Sequence, residues 1–263
     1  MQLSPIGFGT YPLDDAEAEA AVRDALDAGY RLIDTAASYG NEAGVGRGIA
    51  GAGVPRGEVV VTTKLRGADQ GYDAARRAFE ASRERLGVGV DLYLIHWPLP
   101  RLDRYVDSWR ALIALRDEGA VKAIGVSNFT AEHLDRLRRE TGEAPIVNQI
   151  ELHPHFNQRA LRAANAARGI ATEAWSPLGR GSALLAEPAI TAAAERHGVA
   201  PGQVVLRWHV QHGVTPIPKS SSAQRRRENL DVFGFALDAG EMAAIDALPQ
   251  ERTGGDPDDY EEL

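Results

Sequence analysis

Residues 59–64 read VVVTTK and residues 91–96 read DLYLIH. Each run is short, rich in Val, Leu or Ile, and ends on a basic or imidazole side chain. The stretch between them is far too long for a hairpin and long enough for a crossover helix. The two runs therefore read as neighbouring parallel strands, buried on both faces. Six more runs of the same kind lie outward on either side: Pro5–Phe8, Arg31–Asp34, Ala123–Ser127, Pro145–Gln149, Ile170–Trp175 and Val214–Lys219.

Helical signals fill most of the gaps. The segment from Asp14 to Ala28 opens on aspartates suited to an N-cap and stops at Gly29; another starts at Thr130 and stops at Gly142. Eight strands alternating with helices, and no linker to divide them, predict one α/β domain over residues 1–263, a (β/α)8 TIM barrel. Two packed α/β domains are the alternative.

Composition narrows the function classes. With 44% hydrophobic and 25% charged residues the chain is an ordinary globular one. No apolar stretch approaches ~18 residues, so no membrane span is expected. The opening MQLSPIGFGTYPL shows neither a basic nor an apolar leader region, which makes the cytoplasm the expected compartment. The absence of cysteine rules out disulfides, thiolate catalysis and Cys-type zinc sites. The net charge of −8 argues against a nucleic-acid binder. Most of that charge sits in the tail ERTGGDPDDYEEL, so the body is close to neutral. A monomer acting on a small molecule is expected.

In the barrel fold, active sites gather at the C-terminal strand ends. Here those ends carry Asp34, Lys64, His96, Ser127 with Asn128, Gln149, Trp175 with Ser176, and Lys219. One such residue would be a strand cap; seven on one rim are hard to explain as packing. Basic usage adds a pointer. The chain has 29 Lys and Arg, yet only Lys64, Lys122 and Lys219 are lysines. Where Arg is so preferred, a retained Lys suggests chemistry needing a compact ammonium.

Asp34, Tyr39, Lys64 and His96 form one chemical set. A tyrosine hydroxyl, with a reference pKa near ~10, gives up its proton poorly at neutral pH. A neighbouring ammonium stabilises the phenolate, and an aspartate holds that ammonium charged and oriented. A neutral histidine can hydrogen-bond a substrate oxygen that is turning negative. Such a set protonates a carbonyl oxygen while hydride reaches the carbon. No side chain supplies hydride, so a nicotinamide cofactor is required.

The stretch IDTAASYGNE (33–42), followed by TTK (62–64), YLIHW (93–97), IGVSN (124–128) and IPKS (217–220), resembles the aldo-keto reductases. Within them it is most similar to the bacterial 2,5-diketo-D-gluconate-reductase-like branch. The resemblance covers nearly the whole chain in order. It implies a (β/α)8 barrel reducing aldehydes or ketones with NADPH, with Tyr39 as general acid, Lys64 and Asp34 tuning it, and His96 orienting the carbonyl. It further implies that Ser127, Asn128 and Gln149 bind the nicotinamide carboxamide and that Trp175 stacks on the ring. Ser176, Leu178 and the turn from Gly179 would line the pyrophosphate. Lys219, Ser220, Arg225, Glu228 and Asn229 would take the adenosine end. Independently, a lysine, the hydroxyls at 220–222 and a helix start make an anion site to which Arg225 adds a fork, which favours NADP over NAD. Arg226 and Arg227 read as a solvated helix face.

Two motifs read as decoys. The string GRGIAG (46–51) matches G-x-G-x-x-G, but no strand directly precedes it. His153 and His155 resemble a metal pair, but the remaining histidines fall in helical stretches, so no metal is expected. The chain also departs from its resemblance. Relatives carry about ten more N-terminal residues forming a hairpin under the barrel, so that plug is expected to be missing or reduced. Leu65-Arg66 stands where many relatives have Leu-Trp, which removes one aromatic wall. Tyr11, Trp97 and Trp109 remain as substrate-pocket candidates, with loop 99–105 and the acidic tail as covers. An NADP(H)-sensing subunit with residual reductase activity is the alternative function; a hydrolase would need a metal or nucleophile that this sequence lacks.

Overall fold

Proline and chain reversal set where the strands begin and end. In the computed structural model, which describes residues 3–181 and 183–262, eight parallel strands run in chain order through one curled sheet. They are β1 (Phe8–Gly9), β2 (Leu32–Asp34), β3 (Val60–Leu65), β4 (Leu92–Ile95), β5 (Ala123–Ser127), β6 (Val147–Glu151), β7 (Ala171–Trp175) and β8 (Thr215–Pro216). Each of the eight expected runs overlaps one of them. The first and last are shorter than expected because Pro5, Pro216 and Pro218 have no N–H to donate to a ladder. Their carbonyls still serve. The amides of Gly7 and Gly9 donate to the carbonyls of Pro216 and Pro218, both at 3.0 Å, so β1 lies beside β8.

Among the described residues ten α-helices connect or follow the strands: α1 (Asp15–Ala28), α2 (Glu42–Ala50), α3 (Tyr72–Leu86), α4 (Tyr105–Asp117), α5 (Ala131–Thr141), α6 (Arg159–Ala167), α7 (Pro188–His197), α8 (Pro201–Gln211), α9 (Ala223–Leu230) and α10 (Ala239–Asp246). The expected boundaries hold where their chemistry was explicit. Asp14 caps α1 in a reciprocal box with Glu17, and Gly29 ends it at φ 117°. Thr130 caps α5 and Gly142 stops it.

Period-two alternation divides each strand between two environments. On β4, Tyr93 and Ile95 pack outward in the large core beneath α1–α5, whereas Leu92 and Leu94 pack inward with Ala123 and Val147. Leu3 packs against that inner cluster, at the end of the strands opposite the functional side chains. A second core joins β6 and β7 to α7, α8 and α10.

Residues 46–50 of the GRGIAG string lie in α2 and Gly51 caps it, with no strand directly before. Its glycines bring backbones together. A Cβ on Gly46 would stand 1.7 Å from the Leu86 carbonyl oxygen, and one on Gly44 would stand 1.8 Å from that of Asp15. The glycine face of α2 is thus a packing surface between α1 and α3.

Candidate active site

The register places Asp34 of β2 opposite Thr62 of β3, two residues before Lys64. Lys64 is fully buried, and its ammonium has three partners: Asp34 Oδ1 at 2.5 Å, the Thr35 carbonyl at 3.0 Å and the Tyr39 hydroxyl at 3.4 Å. Burial works against its charge, but Asp34 and the Tyr39 oxygen outweigh that and hold the amine above its ordinary range. The ammonium is therefore charged. Tyr39 sits on the turn after β2, in a single 3-10 turn from Ala37 to Tyr39. Burial raises its hydroxyl above the ordinary phenol value, the charge of Lys64 pulls it back down, and the result remains raised. The tuning by lysine expected from the sequence is present, but burial exceeds it.

His96 directly follows β4, its ring 5.8 Å from that of Tyr39 in an edge arrangement. Its backbone carbonyl accepts from Asn128 Nδ2 at 2.9 Å, and its Nδ1 lies 2.6 Å from a carboxylate oxygen of Glu262. The acidic tail thus enters the site. The same carboxyl group accepts the Gly67 amide at 3.0 Å. Burial opposes its charge, yet the bonds from His96, Ser38 and Gly67 keep it below the usual carboxylate range.

Tyr260 of the tail packs on Trp97 at 4.2 Å between ring centres, and Arg101 pairs with Asp259 and Glu261. Farther back, Glu151 of β6 pins the tail by accepting from the Thr253 amide and hydroxyl and the Gly254 amide. Loop 99–105 and the tail meet over the strand ends, as the sequence led us to expect.

The next strand ends are bonded to one another. Ser127 donates to the Gln149 carbonyl at 2.9 Å, and Asn128, at φ 65°, accepts from the Trp175 indole at 2.7 Å. Gln149 Nε2 donates to Asp34 at 2.8 Å and to Glu173 at 2.9 Å. Trp175 carries the Arg180 guanidinium 5.0 Å over its ring, and Arg180 also donates to Ser176. Leu178 packs against both cores and Gly179 is buried in the following turn. Lys219 donates to the Ser221 hydroxyl at 3.0 Å, next to buried Ser220. Ser222 caps α9 through the Arg225 amide. The Arg225 guanidinium is exposed and has no partner among the described residues. Glu228 accepts from Gln224, while Asn229 is buried and bonds Tyr30.

Several expectations need correction. Trp109 is fully buried within the large core on α4 and lines no pocket; α4's inner face needed bulk there. Trp97 lies beside His96 and Trp175, its ring centre 6.4 and 6.5 Å from theirs, and Tyr11, 57% exposed, lies 5.1 Å from the Tyr39 ring. Arg226 is not a solvated residue. It is buried, bonded to Asp24 at 2.6 Å and to the Ser220 carbonyl at 2.9 Å, so it buttresses the loop on which Arg225 stands. Arg227 is exposed, as expected. The two histidines of the supposed metal pair diverge, His153 to Glu151 and His155 to Glu187, and no metal-ligand cluster occurs among the described residues. Glu262, Glu151 and Glu173 were missed. The density of acids in the tail was the available signal for the first, and a charged residue inside an apolar run was the signal for the last.

The aldo/keto reductase family profile matches residues 5–250. An aldo-keto reductase of Mycolicibacterium smegmatis is 53% identical over 96% of this chain and 92% of its own length. The 2,5-diketo-D-gluconic acid reductase B of a Corynebacterium species is 51% identical, covering 98% of this chain and 94% of its own. Among solved structures, a mutant of Gox0644 in complex with NADPH superposes with a TM-score of 0.93 at 47% identity, over 98% of this chain and 94% of that one. A Bombyx mori aldo-keto reductase in complex with NADP gives 0.86 at 37%, over 93% and 88%. With a family match over most of its length and relatives above half identity, the chain belongs to the aldo/keto reductase family.

Proposed function

We propose that Tyr39 is the general acid of an NADPH-dependent reduction of aldehydes or ketones to alcohols, with Lys64 and Asp34 as its electrostatic support and His96 as the carbonyl-orienting group. The observation that carries this reading is the Lys64 ammonium, buried between Asp34 and the Tyr39 hydroxyl. Bound beside Tyr39, NADPH would supply hydride for the carbonyl carbon. Tyr39 gives its proton to the carbonyl oxygen, and Lys64 stabilises the phenolate left behind. Asp34 keeps the ammonium charged in a dry setting.

The cofactor fits the residues present. Arg225 has an unspent guanidinium at the start of α9, beside Lys219 and the serine hydroxyls, which suits a 2′-phosphate. Gln149 keeps its carbonyl oxygen as an acceptor for a carboxamide N–H, and Ser127, Asn128 and Trp175 complete that end. Ser176, Leu178 and Gly179 would line the pyrophosphate, and Glu228 and Asn229 the adenosine. Tyr11 and Trp97 wall the substrate pocket. We read residues 1–263 as one domain and the curled sheet as a closed (β/α)8 barrel, supported by the Gly7 and Gly9 bonds to the last strand. No helix among the described residues is long and apolar enough to cross a membrane. A cytoplasmic monomer completes the reading.

An NADPH-oxidation screen over aldehydes, keto sugars, α-keto esters and cyclic ketones tests the assignment. Turnover of at least one class, abolished in Tyr39→Phe, is the expected result. NADPH binding without any turnover would favour a sensing subunit.

A further inference from the structure

Glu173 lies in the middle of β7, its side chain fully buried inside the curl of the sheet. Its Oε2 accepts from Gln149 Nε2 at 2.9 Å, and its Oε1 has no partner. The same Gln149 nitrogen donates to Asp34 Oδ2 at 2.8 Å. Both amide hydrogens of Gln149 are therefore committed to carboxyl groups, which fixes the direction of its remaining oxygen. Asp34 holds the Lys64 ammonium on its other oxygen.

One ammonium thus faces two buried carboxyl groups. Asp34 has the cation and a neutral donor; Glu173 has a neutral donor and a bare oxygen. An unpaired carboxylate oxygen in a dry interior is costly, so the single negative charge belongs to Asp34 and the proton to Glu173. Burial and the Asp34 charge push the Glu173 carboxyl up to about 7, against the pull of Gln149 and Lys64. The charged groups facing it are Asp34 from β2 and Lys64 from β3; β6 presents the Gln149 amide, and β8 places Thr215 opposite it in register.

We propose that Glu173 is a positioning residue for the reduction: as a neutral acid it anchors the Gln149 amide, leaves the Gln149 oxygen for the nicotinamide carboxamide, and leaves Asp34 as the sole counter-charge of Lys64. The inference rests on the roles given above to Tyr39, Lys64 and Gln149. When Glu173 ionises, a second negative charge joins the Asp34–Lys64 pair. The Tyr39 phenolate is then harder to form, and reduction slows.

The experiment compares wild type, Glu173→Gln and Glu173→Ala by kcat, by NADPH fluorescence titration and by melting temperature, from about pH 5.5 to about pH 8.5. Wild-type kcat should fall roughly three- to tenfold as the pH passes neutrality, the effect of one added charge at this range. Glu173→Gln should match wild type in acid and lack the fall. Glu173→Ala should weaken NADPH binding, and the Gln variant should restore it.

Stability gives a readout independent of turnover. The folded chain holds this proton up to about 7, whereas an unfolded glutamate releases it near its ordinary value of 4.5. The folded state therefore binds more protons across that window and loses stability as the pH rises through it. Glu173→Gln should melt higher than wild type at the alkaline end, with the gap closing in acid. A basic limb shared by the Gln variant, a loss of its activity in acid, or a pH-independent melting gap would overturn the proposal. If wild type turns over no carbonyl, the functional reading fails, while the melting comparison still decides the protonation of Glu173.

Discussion

The Glu262 carboxylate stands 2.6 Å from Nδ1 of His96, so the chain's own tail occupies the histidine assigned to orient the substrate. A carbonyl taking its hydrogen bond from that same nitrogen must displace it. Glu262→Gln should therefore lower KM for neutral carbonyl substrates roughly two- to tenfold, the range between exposed and charge-assisted contacts. The NADPH affinity should stay unchanged. A fall in kcat with KM unaltered would instead mean that Glu262 holds the imidazole in its working orientation. Steady-state kinetics on one good substrate separates the two.

Tyr39→Phe keeps the ring that packs against Tyr11 and removes only the hydroxyl held by Lys64. NADPH binding should survive and turnover should fall on the order of 10²–10⁴-fold. Fluorescence titration and a turnover assay on the same preparation check both halves. A variant retaining most of the wild-type kcat would remove Tyr39 from the chemistry.

Neighbouring arginines on α9 should behave differently. Arg225→Ala should weaken NADPH binding by roughly 1.5–3 kcal/mol, with NADH nearly unaffected, because only NADPH has a phosphate for that guanidinium. The loss should shrink with added salt. Arg226→Ala should lower thermal stability, since it removes the bonds to Asp24 and the Ser220 carbonyl. Equal weakening of both cofactors in Arg225→Ala would assign that residue to the loop rather than to the phosphate.

Glu151 carries the tail's other attachment. Burial alone would raise its carboxyl, but bonds from His153, Thr253 and Gly254 hold it at about 2. A depressed acid stabilises the folded state above its unfolded value, 4.5, and that contribution is lost as the pH falls towards 2. The tail should accordingly stay docked through mildly acidic conditions. Glu151→Gln should release it at neutral pH, seen as faster amide exchange at Thr253 and Gly254. Unchanged exchange would show that Tyr260 and Arg101 hold the tail without Glu151.

What the sequence revealed follows the range of the interactions involved. Strand ends and caps are local, and Asp14, Gly29, Thr130 and Gly142 announced their helices. The proximity of Asp34, Tyr39 and Lys64 needed only parallel order and the stagger of two strands. Arg226 and Trp109 were misjudged because their neighbours, Asp24 and the large core, are remote in sequence, and no pattern in a charged or aromatic-bearing helix tells which face is covered. Glu262 was hidden for the same reason. The sequence offered the tail as a cover for the pocket, but which of its acids would meet a histidine is set by contacts remote in sequence.

The glycine face of α2 has a consequence for how variants will behave. Asn41 and Glu42, at the start of α2, fasten the Tyr39 turn to the sheet: Asn41 bonds Thr35 and the Thr10 and Leu13 carbonyls, and Glu42 accepts from Thr63 and Arg85. With two neighbouring backbones in the space a methyl group would fill, α2 has no slack in which to absorb one. The smallest possible enlargement, Gly44→Ala or Gly46→Ala, would lever the helix outward and take the turn with it. Such a substitution alters no pocket atom, yet it should register as a catalytic defect, and a catalogue of tolerated changes drawn from pocket distance alone would misfile it.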